Sequence, residues 1–141
     1  MIEAHSGVEE WLEGWADAPY AYLTTTGRRT GNPHRIEIWF AADNGRLYML
    51  AGGRDRSDWV RNIQANAKVT IELGDATRSG MARILRDGTD EDQLARELLV
   101  TKYGTPEKPL ADWKQRSLAV VIEFPDAANR SPAHGNGQAG V

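Results

Sequence analysis

The chain has 141 residues, a net charge of −3, 40% hydrophobic and 26% charged residues, and no cysteine. These values predict one soluble domain with a single core, and they exclude disulfides, Cys-ligated zinc, iron–sulfur clusters and thiol catalysis, a usage that suits the cytoplasm. The N-terminus is acidic and broken by polar residues, unlike a signal or transit peptide. No apolar run approaches the roughly 18 residues of a membrane span, and the weakly acidic balance argues against general nucleic-acid binding.

In chain order, Trp11, Leu12 and Trp15 form the apolar stripe of a short helix over 8–15, which Asp17-Ala18-Pro19 ends. Tyr20 to Thr26 is aromatic and β-branched and predicts a strand. Ile36, Ile38 and Phe40 alternate with Arg35, Glu37 and Trp39, so a half-buried strand is expected over 35–40. Asn44-Gly45 accepts the positive φ of a tight hairpin and joins that strand to one over 46–50. Ser57 to Asn66 reads as a helix with Trp59, Asn62 and Ile63 on one side and Asp55 or Ser57 as its cap. Strands follow over 68–73 and 79–85. Asp90-Glu91-Asp92 then opens a helix, the acids favoured by its positive end, with Leu94, Leu98 and Leu99 expected inward. Gly104, Pro106 and Pro109 break it before a last alternating strand, Leu118 to Phe124. Residues 126–141, rich in Ala, Gly, Asn and Pro, read as a disordered tail whose deletion is expected to leave ligand affinity unchanged. The fold class is mainly β with helices (α+β): a domain over 1–125 built as a small barrel of about six antiparallel strands with helices outside.

Charge is unevenly spread. Between Arg28 and Arg61 stand seven arginines and four acids, a local positive excess inside an acidic chain. Two loops concentrate it. Thr24-Thr25-Thr26-Gly27-Arg28-Arg29-Thr30-Gly31-Asn32-Pro33-His34-Arg35 leaves one strand and enters the next, offering guanidinium forks, hydroxyls and glycine N–H groups to a phosphate or carboxylate. Ala51-Gly52-Gly53-Arg54-Asp55-Arg56-Ser57 runs from a strand through Gly-Gly to a helix start, where exposed N–H groups favour an anion. Each loop alone is equally readable as a solvated basic turn. Together they predict a phosphate-bearing ligand. No GxGxxG, P-loop, G-x-S-x-G elbow or His/carboxylate metal spacing is present, so no metal site is expected.

The two motifs in this order, with Ser57-Asp58-Trp59-Val60-Arg61-Asn62 continuing the second, resemble the deazaflavin-dependent nitroreductase and quinone reductase family. These are split-β-barrel reductases of the flavin/deazaflavin oxidoreductase superfamily, typical of actinobacteria. The resemblance covers about residues 22–73 and implies reduced coenzyme F-420 as hydride donor. By position it implies that Arg29 holds the coenzyme phosphate, flanked by Gly27, Arg28, Thr30 and Gly31. The family usually has Arg where His34 stands, and Arg35 is the substitute expected for that contact. Ile36, Ile38 and Trp39 match the strand along the deazaflavin ring. Ala51, Gly52 and Gly53 match the segment near ring and phosphate, with Arg54 and Arg56 reinforcing the field, and Trp59 and Asn62 match the following helix.

The implied reaction passes a hydride to a small hydrophobic electron-poor acceptor: an enone, unsaturated lactone, quinone or nitro compound. Tyr48, Tyr103 and Ser57 are candidate proton donors or substrate orienters. Trp11, Trp15 and Trp113 are either packing residues or lids over a hydrophobic pocket. Two other readings stand beside this one: an FMN-binding oxidoreductase on the same barrel, or a non-catalytic protein that carries the coenzyme or another phosphorylated ligand. Monomer and homodimer are both open.

Overall fold

The computed structural model describes residues 7–125, so the tail expected over 126–141 lies outside the described residues. Helix α1 (Gly7–Gly14) is followed by β1 (Ala21–Thr26), β2 (Pro33–Ile38), β3 (Ala41–Asp43), β4 (Arg46–Ala51), α2 (Asp58–Ala65), β5 (Lys68–Leu73), β6 (Ala76–Ile84), α3 (Asp90–Tyr103), α4 (Ala111–Arg116) and β7 (Leu118–Glu123). The strands form one sheet in the order β2-β1-β5-β6-β7-β4-β3, every pairing antiparallel. It curls into the half-barrel of a split-barrel α+β fold.

Strand alternation builds the barrel interior. Leu23 of β1, Leu47 and Met49 of β4, Val69 and Ile71 of β5 and Val120 and Ile122 of β7 meet inside with Phe40. Helix α1 plugs this core: Trp11 meets Phe124 edge-on at 5.2 Å, with Leu12 beside it. Trp11 is therefore packing, not a lid. Trp15 lies against the β5–β6 turn, its ring packed on Gly74 so closely that a Cβ there would collide with it.

A second core lies on the other side of the sheet. Tyr48 and Leu50 of β4 and Ala119 and Val121 of β7 face Ala95 and Leu99 of α3. Strand β7 is thus buried on both faces, which its unbroken apolar run Leu118–Ile122 permits.

Several expectations change. Among the described residues there are seven strands where about six are expected, because the chain bends at Trp39–Phe40 and Ala41–Asp43 pairs with Leu47 and its neighbours as a separate short strand. Leu94 is exposed, whereas Leu98 and Leu99 pack inward as expected; Asp92, Ala95 and Arg96 complete the inner face of α3, with the buried Asp92 and Arg96 paired at 2.9 Å. Thr89 caps α3 by accepting from the Asp92 N–H at 3.2 Å. A short helix, α4, occupies part of what reads as a Pro-rich loop. Among the described residues no helix is long and apolar enough to cross a membrane, and no cluster of metal-ligating side chains occurs.

Candidate functional site

The β1–β2 loop closes on itself before it offers anything outward. Gly27 N–H donates to Asn32 O at 2.7 Å and Gly31 N–H to Gly27 O at 2.9 Å, with Gly31 at φ 79°. Thr30 Oγ1 accepts from Asn32 N–H at 3.1 Å. Helix α2 braces the turn. Buried Asn62 donates to Thr25 Oγ1 at 3.0 Å and accepts from the Arg28 N–H at 3.2 Å and its Nη1 at 2.9 Å. Arg28 also reaches Asp58 Oδ1 at 3.2 Å. Arg28 and Asn62, expected as ligand-binding groups, are thus first the struts of the loop.

Between this loop and the start of α2 lies an open cleft of about 560 Å³ whose lining includes Gly27, Arg28, Arg29, His34, Asp58 and Asn62. Arg29 and His34 project here with no hydrogen-bond or ion-pair partner among the described residues. The His34 ring crosses Gly27 so closely that a Cβ there would lie 2.6 Å from Nε2. With Asp58 paired to Arg28, the guanidinium of Arg29 is the positive charge left facing the cleft.

Arg35 does not join it. Strand alternation turns Arg35 to the opposite face from His34, where it is bidentate to Glu72 at 2.8 and 3.1 Å and stacks 3.8 Å from the Tyr22 ring. The hydrogen bond from Arg35 holds the Glu72 carboxyl below its usual range. Arg35, expected to substitute for that contact, is instead engaged by Glu72 on the other face of β2.

The second basic loop is also partly spent internally. Arg54, at φ 53°, donates to Arg116 O at 3.1 Å, Ser117 O at 2.9 Å and Asp87 Oδ2 at 2.7 Å. Its guanidinium ties α4 and the β6–α3 loop instead of facing an anion. Arg56 is exposed, and Arg61 Nε returns to Asp55 O at 3.1 Å. Ala51 is buried, whereas Gly52 is open, and a Cβ on Gly52 would meet the Trp113 indole at 3.5 Å. Ser57, at the N-terminal boundary of α2, makes no side-chain cap; its Oγ lies 2.7 Å from where a Cβ of Gly53 would be. Ile36, Ile38 and Trp59 are half-buried against the barrel core.

An aromatic shelf borders Gly52. Trp39, 43% exposed, stacks on Tyr103 with ring centroids 4.2 Å apart and planes at 2°, and meets Trp113 edge-on at 5.7 Å. Tyr103 Oη accepts from Phe40 N–H at 3.1 Å and lies within donating reach of Pro19 O at 2.9 Å and Phe40 O at 3.0 Å. Burial pushes its pKa up. Beside it Lys102 donates to Ala16 O and Phe40 O, both at 3.0 Å, and burial pushes its amine down to about 8. Sequence reading missed Lys102 and Asp58. Nothing local marks either, since their partners lie up to 86 and 30 residues away.

Tyr48 is withdrawn from the list of proton donors. It is 2% exposed in the second core, and its hydroxyl donates to Glu91 Oε2 at 2.9 Å. Glu91 also pairs with Arg46 at 3.0 Å and Arg83 at 3.2 Å. Partial burial opposes the Glu91 charge, but these donors prevail and hold its carboxyl below the usual range.

A family model described as F420H(2)-dependent quinone reductase matches residues 3–125. Among solved structures, an F420-H2 dependent reductase (FDR-A) is 26% identical with a TM-score of 0.62, covering 75% of this chain and 95% of its own. A protein described as a domain-swapped dimer is 25% identical with a TM-score of 0.63, covering 82% and 92%. The heme storage protein HutZ of Vibrio cholerae, 13% identical with a TM-score of 0.67 over 84% and 90% of the two chains, shares the fold.

Proposed function

The chain belongs to the F420H(2)-dependent quinone reductase family, and from that premise we propose that it holds the phosphate of reduced coenzyme F-420 in the Arg29–His34 cleft and reduces an electron-poor acceptor on the Trp39–Tyr103–Trp113 shelf. The residues fit such a group. One observation carries the reading: Arg29 and His34 are unpaired in an open cleft, while neighbouring Arg28, Arg35 and Arg54 are satisfied internally. A guanidinium left free beside a braced, glycine-bearing turn is organised for an anion before the anion arrives.

When bound, the reduced deazaflavin supplies a hydride. The protein's share is placement and charge. Arg29 and His34 hold the phosphate end, and Asn62 keeps the loop shaped for it. Ile38, Trp39 and the open backbone at Gly52 and Gly53 border the route toward the shelf. Stacked indole and phenol rings offer flat apolar surface to an enone, unsaturated lactone, quinone or nitroarene. An acceptor that gains a hydride gathers negative charge and needs a donor. Ser57, beside Gly53 and free of a capping bond, is the side chain best disposed to supply one, with solvent replenishing its proton. Tyr103, bonded to Phe40, orients the shelf.

The test is a fluorescence titration of the purified protein with F-420 and, in parallel, FMN, followed by an enone and a quinone added to the reduced-coenzyme sample. Micromolar F-420 binding with acceptor-dependent reoxidation is expected. Tight FMN binding without response to F-420 would keep the barrel and overturn the coenzyme. Binding without turnover of either acceptor would leave a carrier.

A further inference from the structure

Two arginines from different elements converge on one end of α4. Arg54 donates to the carbonyls of Arg116 and Ser117 at 3.1 and 2.9 Å, and Arg96 of α3 donates to Lys114 O at 2.5 Å. Asp87 accepts from both, at 2.7 Å from Arg54 and 3.2 Å from Arg96. Ser117 Oγ closes the same helix end by donating to Trp113 O at 2.5 Å. Carbonyls at a helix C-terminus are the negative end of its dipole, so two guanidinium groups there are well placed.

The clamp has a geometric consequence. Helix α4 is only six residues long and carries Trp113, which lies against Gly52 and edge-on to Trp39. Gly52 is two residues from Arg54, so the loop that borders the coenzyme side also grips the helix that covers it. Arg54 does so at φ 53°, a left-handed conformation that favours glycine. A non-glycine residue held there indicates that its side chain is needed where it stands.

We propose that Arg54, held in place by Asp87, is a positioning residue for Trp113, and that it fixes the acceptor side of the site without contacting the coenzyme phosphate. This rests on the reductase reading for its kinetic half only. Arg54→Gly is the decisive variant because glycine suits the left-handed backbone while deleting the clamp. The full-length chain is labelled with 5-fluorotryptophan, and its resonances are assigned by single Trp→Phe variants. In coenzyme-free protein the Trp113 signal is expected to move or broaden in Arg54→Gly while that of Trp11 stays. With F-420 and a soluble naphthoquinone, the acceptor KM is expected to rise between about tenfold and a hundredfold, a cost typical of misplaced positioning groups, with F-420 Kd unchanged. Asp87→Asn leaves the Gly52–Arg54 backbone untouched and is expected to shift the Trp113 signal in the same direction. A Trp113 signal unmoved in both variants would overturn the clamp, whether or not the chain uses F-420. A tenfold loss of F-420 affinity with Trp113 unmoved would restore Arg54 as a phosphate ligand.

Discussion

Adjacent arginines 28 and 29 have opposite fates, and the difference is one of partners. Arg28 is bonded to Asn62 and Asp58, whereas Arg29 faces the open cleft without a partner. Arg29→Ala is therefore expected to weaken F-420 binding by about 1.5–3 kcal/mol, the range of a charge-assisted hydrogen bond, with folding stability unchanged. Arg28→Ala is expected to lower stability first, by roughly 1–3 kcal/mol, because it strips a strut from the buried Asn62. Coenzyme titration and urea denaturation of the two variants separate these outcomes, and the converse assignment would exchange them. Tyr48 supplies a second contrast. Tyr48→Phe removes only the hydroxyl that donates to Glu91. The expected result is about 1 kcal/mol less stability with kcat for quinone reduction unaltered. A large fall in kcat would return Tyr48 to the reacting groups.

At the scale of elements, β6 pairs with β7 in the middle of the curled sheet, and Gly80 makes that close approach possible. A Cβ on Gly80 would stand 2.6 Å from Ile122 Cγ2 and 3.0 Å from Glu123 O, the second being backbone that cannot rotate away. Gly80→Ala is thus expected to cost about 1–3 kcal/mol as overpacking, read as a lower urea midpoint with an unchanged slope. Most elements were legible because period-2 alternation and the Asn44-Gly45 turn are local signals. Strand β3 was not, since three residues carry no period of their own and gain strand geometry only by pairing with β4. Nor was α4, whose proline-rich approach ends at Leu110 in a left-handed conformation, φ 63°, that no sequence rule favours for leucine. On α3 Leu98 and Leu99 were read correctly and only Leu94 was misread, for a related reason: it follows the hydrophobic pattern, but the buried Asp92–Arg96 pair takes inward positions in its place. The candidate site divides in the same way. Its glycine-flanked Arg29 turn is written in consecutive residues. The loss of Arg35 to Glu72 and of Arg54 to Asp87 depends on partners 37 and 33 residues away.

Across the whole molecule, one side chain joins segments that the chain order keeps far apart. Lys102, at the end of α3, donates to Ala16 beyond α1 and to Phe40 at the β2–β3 bend, and its ammonium lies 3.6 Å from the Phe40 ring centroid. The same bend carries Trp39 of the shelf, so the latch between plug helix and barrel also supports the site. Burial opposes the charge more than the field of Asp17 favours it, and the amine falls from 10.5 to about 8. Below pH 8 the residue is charged in both folded and unfolded chains, and the folded state bears the full desolvation cost. Between 8 and 10.5 the unfolded chain binds more protons at this position, so its contribution to stability rises with pH; above 10.5 both states are neutral and the contribution levels off. Lys102→Met lacks the titration. The difference in unfolding free energy between wild type and Lys102→Met, followed by urea denaturation from about pH 7 to about pH 11, is expected to shift in favour of wild type across that window. A difference independent of pH would mean that the amine keeps its ordinary pKa and that water reaches the latch.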